Sequence, residues 1–131
     1  MLVRPITKEE RLQSAQLFAI AFESPFDPND LTPFAENPCI WAAFDEESGE
    51  MMSTVYVTDY RVQFDGGRYK MGGIGGVASL PQYRRAGGIR ACFQKALPIL
   101  YREGYVFSYL YPFSTAYYRK FGYESCVQRC L

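Results

Sequence analysis

Residues 72–90 read GGIGGVASLPQYRRAGGIR, and this stretch decides how the rest of the chain folds. It holds six of the chain's 11 glycines together with three arginines, in a protein whose formal net charge is zero. Val77, Ala78 and Ser79 close a β-prone run, and after LPQYRRAGG the residues Ile89, Phe93, Ala96, Leu97 and Leu100 recur on one face at helical spacing. Strand, glycine-arginine loop and helix therefore follow one another. The start of such a helix offers unpaired N–H groups and roughly half a positive charge, which together favour an anion. Gly87 and Gly88 let the main chain approach phosphate-like oxygens with no Cβ in the way. Arg84, Arg85 and Arg90 can add charged hydrogen bonds from the rim. Neither GxxxxGK followed by Ser or Thr, nor GxGxxG at the strand-to-helix turn, is present, which demotes nucleoside triphosphate and dinucleotide readings.

Upstream, Asp65-Gly66-Gly67 predicts a tight hairpin turn after MMSTVYVTDYRVQFD (51–65), a strand-like run rich in Val, Thr and Tyr. Gly72, Gly73, Gly75 and Gly76 weaken the returning strand, so they mark a bulge or a close backbone neighbour. CIWAAFD (39–45) predicts a further strand containing a core Trp41, with a turn at Gly49; LVRPI (2–6) is a short β-prone run. Thr7 and Glu10 form a capping-box pair that starts a helix, with Leu12, Ala15, Ala19 and Phe22 as its apolar stripe. That helix ends before ESPFDPND, and a short second one is allowed over 31–36. Downstream, Pro98 predicts a kink or an irregular last turn and Gly104 a stop. YVFSYLY (105–111) reads as a buried strand, 114–120 as a short helix and YESCVQRCL as a final strand. The order describes an α/β sheet domain with helices on its faces.

With 131 residues the chain makes one domain over 1–131, large enough to bury a core without disulfides or a structural metal. Fourteen basic residues balance fourteen acidic ones, giving no field to track nucleic acid or an anionic membrane. No run approaches the roughly 18 apolar residues of a membrane span, and the N-terminus lacks a signal-peptide core, so a cytoplasmic protein is expected. Cys39, Cys92, Cys126 and Cys130 show no CxxC spacing and no histidine exists to complete a zinc set, which predicts buried reduced thiols. Within one strand Cys126 and Cys130 would lie about 13 Å apart, beyond disulfide reach. The aromatic run YLYPFSTAYY is read as core rather than as a base-stacking surface.

VASLPQYRRAGGIR resembles the acyl-coenzyme A signature of the GNAT superfamily of N-acyltransferases: Gln or Arg, two residues, Gly, one residue, then Gly or Ala. Arg84-Arg85-Ala86-Gly87-Gly88-Ile89 fits except at the sixth place, where Ile89 followed by Arg90 resembles the enhanced-intracellular-survival branch. YYRKFGYE resembles that branch's Tyr, two residues, Phe-Gly-Tyr element, and the likeness covers nearly the whole chain. It implies a GNAT fold, with a mixed central sheet of about six or seven strands and helices on both faces. It also implies transfer of an acetyl group from acetyl-CoA to a primary amine. Val77, Ala78 and Ser79 would pair with the pantetheine arm as an added strand, and Arg85, Ala86, Gly87, Gly88, Ile89 and Arg90, with Arg84 at the rim, would hold the pyrophosphate. Phe113 and Ser114 would touch the cofactor, and Tyr118 would protonate the departing thiolate.

The expected acceptor is a small-molecule or peptide amine, with neither nucleic acid nor membrane expected as partner. The branch's base is a carboxylate at the end of a much longer chain, whereas this sequence stops at Leu131. An N-terminal fragment or minimal relative is therefore expected, and exposed apolar surface would allow homo-oligomers. Asp27, Asp30 and Glu36 border the expected acceptor side, although a solvated acidic loop is the better reading. A non-catalytic module that binds coenzyme A or a partner is the alternative.

Overall fold

A computed structural model describes residues 1–29 and 39–126. Thr7 starts the first helical segment as the capping pair predicts, its N–H donating to the Glu10 carboxylate at 2.9 Å. Glu10 is also gripped by the Arg4 guanidinium at 2.7 and 3.0 Å. In chain order the elements are β1 (Leu2–Pro5), α1 (Arg11–Phe22), β2 (Cys39–Phe44), β3 (Met51–Phe64), β4 (Gly67–Ser79), α2 (Gly88–Arg102), β5 (Tyr105–Leu110) and α3 (Thr115–Arg119). The expected short helix over 31–36 lies outside the described residues.

The strands form one sheet in the order β1-β2-β3-β4-β5. β1 to β4 are antiparallel neighbours and β5 joins β4 in parallel, so the sheet is mixed. The β3–β4 turn is the predicted one: Asp65 and Gly66 both take positive φ, at 49° and 79°, as a two-residue hairpin turn requires. Five strands are present among the described residues, fewer than the six or seven expected. The expected final strand is not formed over 123–126. Gly122 turns the chain at φ 94°, Tyr123 packs its ring on Phe93, and Glu124 pairs with Arg119.

Each face of the sheet carries a helix. On one face Phe93, Ala96, Cys92 and Leu100 of α2 pack against Trp41, Ala43, Val55, Val57 and Ile74, with Ile89 and Leu97 flanking them. On the other, Leu17 of α1 packs against Ala42, Phe44, Met51, Ala78 and Leu80. The α2 stripe and the core Trp41 agree with the sequence reading, whereas α1 is rotated from its expected stripe. Leu12 and Phe22 are exposed, and Ser14, Ala15 and Leu17 face inward. Ser14 belongs there because its hydroxyl pairs with the buried Tyr56 hydroxyl at 2.9 Å.

α2 runs through Pro98 to Arg102. Gln94, whose carbonyl loses its donor, is exposed, and so is Pro98. Gly104, at φ 90°, then redirects the chain as predicted. The expectation of buried thiols holds for Cys92 but not for Cys39, the first residue of β2, or Cys126, beyond α3, which are exposed. No helix among the described residues is long and apolar enough to cross a membrane.

Candidate active site

Pairing between β4 and β5 stops at Ile74 opposite Leu110. β4 continues to Ser79, whereas β5 gives way to Tyr111 and Pro112, and proline has no N–H to carry the ladder on. The two strands therefore fork. Residues 75–79 of β4 present an edge without a strand partner among the described residues. A bulge shapes this edge: Tyr56 faces Gly75 and Thr54 faces Ala78, so Gly76 and Val77 stand together opposite Val55. Gly76 sits at φ 53°, and its carbonyl accepts a bond from the Thr54 hydroxyl at 2.9 Å.

The loop beyond β4 leads into α2 through Gly87, the N-cap residue, at φ 85°. Arg85 is also at positive φ, 67°. No described group accepts from the N–H groups of Gly87, Gly88, Ile89 or Arg90, the orphan donors of a helix start. Around them Arg84, Arg85 and Arg90 are exposed, and none is in an ion pair with a described residue. A Cβ on Gly87 would meet nothing within 4 Å, so the space above this loop is open. Gly88 differs in being buried against Ser53 and Ala43.

The predicted site residues divide by what each can offer. Val77 packs toward the α2 face, Ala78 is buried on the α1 face, and the Ser79 hydroxyl pairs with Ser53 at 2.6 Å. Their side chains are thus engaged, which leaves their backbone for the fork. Gly88 and Ile89 likewise face the core, so they too can serve only through main-chain N–H groups. Ala86 is exposed in the loop, its N–H spent on the Tyr83 carbonyl. Phe113 is exposed at the fork's rim, its ring 5.3 Å from that of Tyr118, and the Ser114 hydroxyl caps α3 by accepting from Tyr117 N–H.

Tyr118 is 4% exposed and lines a cavity of about 860 Å³ at the fork with Ile74, Gly75, Leu110 and Tyr111. Its ring is held edge-on by Phe93, Tyr117 and Tyr123. Burial, reinforced by Tyr117 and Tyr123, pushes its phenol up to about 12. No described group bonds its hydroxyl, which is not among fully enclosed polar atoms and so reaches the cavity. Sequence reasoning overlooked Tyr123, whose hydroxyl pairs with Ser108 and whose N–H donates to the Tyr118 carbonyl at 3.2 Å. Its place in YYRKFGYE was the available signal. No group of three or more Cys, Asp or Glu suited to a metal occurs among the described residues.

The strands β4 and β5 thus fork beside an open, glycine-started helix. The chain belongs to the acetyltransferase (GNAT) domain family, whose profile matches residues 2–126. Among solved structures it resembles a conserved protein of unknown function from Enterococcus faecalis V583, described as a probable N-acyltransferase. Identity there is 33% over 94% of this chain, at a TM-score of 0.87. Eis1 from Mycobacterium abscessus shares the fold at 19% identity over 94% of the chain, TM-score 0.80. The chain spans only 32% of each of those two proteins. It covers 95% of glucosamine-6-phosphate N-acetyltransferase from Arabidopsis thaliana, with 99% of its own length matched at 13% identity and TM-score 0.78. No curated protein matches the sequence significantly.

Proposed function

We propose that this domain transfers an acetyl group from acetyl-CoA to a primary amine, and that the fork between β4 and β5 is where it does so. The observation carrying this reading is the conjunction, among the described residues, of an unpaired β4 edge with four unpaired N–H groups at the start of α2. Both features fit the donor: an extended amide-bearing arm can add to a bare strand edge, and a diphosphate suits a cluster of amides ringed by arginines. The backbone N–H groups of Gly87, Gly88, Ile89 and Arg90 bind the diphosphate, and the Arg84, Arg85 and Arg90 side chains neutralise it. Backbone groups of Val77, Ala78 and Ser79 orient the arm, with Phe113 and Ser114 at its border.

Acetyl-CoA, when bound, supplies an acetyl group activated as a thioester. Transfer to an amine frees a proton at nitrogen and needs one at the departing sulfur. Tyr118 keeps its hydroxyl protonated far above neutral pH, because burial disfavours the phenolate. At neutral pH it therefore carries a proton that can hydrogen-bond to the departing sulfur and pass to it as the bond breaks, and it is no base.

Within the superfamily we place the chain in the enhanced-intracellular-survival branch, on the Ile89-Arg90 pair and the element from Tyr118 to Tyr123. Its cellular place is the cytoplasm, its acceptor a small-molecule or peptide amine, and exposed apolar side chains such as Phe64, Val106 and Tyr101 are available for self-association. Calorimetry with acetyl-CoA tests the reading first. Binding in the micromolar range is expected, and no heat at high micromolar ligand in low salt refutes it. A thiol-release assay with an amine panel then separates catalysis from mere binding. Tyr118→Phe should lower release 10- to 100-fold while leaving acetyl-CoA affinity within about twofold. Binding without release by the unaltered chain would favour a non-catalytic module.

A further inference from the structure

Tyr118 is carried by α3, a helix of 5 residues, too short to hold its own shape or direction in water. What fixes it lies just beyond its end. Gly122, at φ 94°, donates its N–H to the Arg119 carbonyl at 3.1 Å, and the Tyr123 N–H donates to the Tyr118 carbonyl at 3.2 Å. Together these bonds make a Schellman motif, in which a glycine takes the left-handed place and the residue after it packs back on the helix. Here the packed pair is Tyr123 and Tyr118 themselves, their rings 6.4 Å apart at an angle of 78°.

We infer that Tyr123, through the bond between its hydroxyl and that of Ser108, is a positioning residue that aims the Tyr118 hydroxyl into the fork. This deepens the acetyl-transfer reading above and rests on it for the reaction served. The bond reaches from the end of α3 to β5, where Ser108 stands opposite Gly72, close to the place at Leu110 where pairing with β4 ends. Among the described residues no other hydrogen bond ties 113–126 to the sheet. The remaining side-chain bonds of this segment are internal: the Ser114 hydroxyl accepts from Tyr117 N–H, and the Glu124 carboxylate accepts from Arg119 and from Ser125 N–H. Its contacts with α2 are ring on ring, since Phe93 meets Tyr118 and Tyr123 edge-on and stacks on Phe121 at 4.7 Å. Ring contacts hold a distance yet let the rings slide, whereas a hydroxyl bond fixes direction. The Tyr123–Ser108 bond therefore sets where α3, and with it Tyr118, stands relative to the forking strands.

What the two hydroxyls do separates their roles. Both side chains line the cavity at the fork. The Tyr123 hydroxyl is occupied by Ser108, whereas no described group bonds that of Tyr118, so Tyr118 can meet a departing sulfur without first breaking a bond to the protein. Proton donation needs hydrogen-bond reach, and a misplacement of about 1 Å can cost about 100-fold in rate. Released from β5, the end of α3 has room for such a shift, because the cavity lies beside it. The donor's diphosphate and arm are gripped at the start of α2 and along the β4 edge in the reading above, so moving α3 alters the chemical step more than the binding of acetyl-CoA.

Two substitutions break the bond from opposite ends: Tyr123→Phe keeps the ring, and Ser108→Ala leaves both tyrosines intact. With the amine that the parent turns over fastest, each should lower kcat about tenfold while KM for acetyl-CoA stays within about twofold, and the double variant should be no slower than either. In a Tyr118→Phe background neither should slow the reaction further, since no phenol is left to aim. Full rate in both folded single variants, or a loss that persists without Tyr118, overturns the inference. A second readout needs no turnover. In protein carrying ring-labelled tyrosine, the NMR signal of Tyr118, identified by its disappearance in Tyr118→Phe, should shift in Ser108→Ala, and an unmoved signal also overturns the inference. A shifted signal in a chain that releases no thiol with any amine supports the brace and sinks the transfer reaction instead.

Discussion

Replacing Gly88 by alanine tests whether α2 is seated by contact with the sheet. A Cβ there would come within 2.8 Å of the Ser53 Cβ and closer still to its hydroxyl oxygen. Ser53 cannot yield easily, being fully buried and tied to Ser79 at 2.6 Å. Inserting a methyl group into such packing costs about 1–3 kcal/mol, and a disturbed Ser53–Ser79 bond adds about 1. Alanine's better helix propensity returns up to about 1 kcal/mol, so the net loss is about 1–3 kcal/mol. For a chain of this size that lowers Tm by roughly 5–15 °C. Thermal unfolding followed by circular dichroism measures it. The Ser53→Gly background supplies the control, because it removes both clashing atoms; there Gly88→Ala should cost less by about 1–2 kcal/mol. A Gly88→Ala protein as stable as the parent, or a cost unchanged in the Ser53→Gly background, would show that the helix is not seated on Ser53.

Gly87 should behave differently from its neighbour. Gly87→Val meets open space but forces a side chain to φ 85°, costing about 1–2 kcal/mol, and should raise the acetyl-CoA dissociation constant at least tenfold in calorimetry; an unchanged constant would remove the loop from the site. The Arg4 guanidinium and the Thr7 N–H hold the Glu10 carboxylate down to about 2. The pair's stabilisation is therefore complete above the ordinary value of 4.5 and is lost as pH falls through 2. With solvent around Arg4 weakening the pair, Glu10→Gln should cost about 1–2 kcal/mol in urea unfolding at pH 7 and only a few tenths at pH 2, and an equal cost at both would refute the ion-pair account. Cys92 is enclosed, and burial pushes its thiol up to about 12. Iodoacetamide at pH 8 should leave Cys92 unmodified in the native protein while labelling Cys126, and mass spectrometry showing equal labelling would contradict that enclosure.

Much of the fold is legible because its signals are local. The hairpin turn follows from Asp65-Gly66-Gly67, the α2 core face from apolar spacing, and the helix start from Gly87, each within a few residues of chain. The phase of α1 was not, because Ser14 is buried for the sake of Tyr56, 42 residues away, and polarity alone assigns it to solvent. The fork is invisible for the same reason: where β4 and β5 cease to pair depends on register between strands that are distant in sequence. Glycine spacing in β4 marked the bulge, but not that Gly73 makes room for Tyr60.

The bulge connects these features. Side chains alternate along a strand, so if these same residues ran on without a bulge Ala78 would share a face with Ile74, toward α2. With Gly76 and Val77 both opposite Val55, the alternation reverses beyond them. Ala78 and Leu80 then turn to Leu17 beneath α1, while Val77 joins the α2 face and Ser79 meets Ser53 under Gly88. The bulge thus absorbs the extra residue and keeps Ser79 under the helix whose first N–H groups are open among the described residues, on the same strand segment that has left β5. Deleting Gly76 would remove the bulge without changing the face that each later residue takes: Val77 would stand opposite Val55, Ala78 opposite Thr54 and Ser79 opposite Ser53. What is lost is the bond from the Thr54 hydroxyl to the Gly76 carbonyl and the local kink of the edge, so α2 should stay docked in thermal unfolding while acetyl-CoA binding weakens, and loss of the folded state would refute this register.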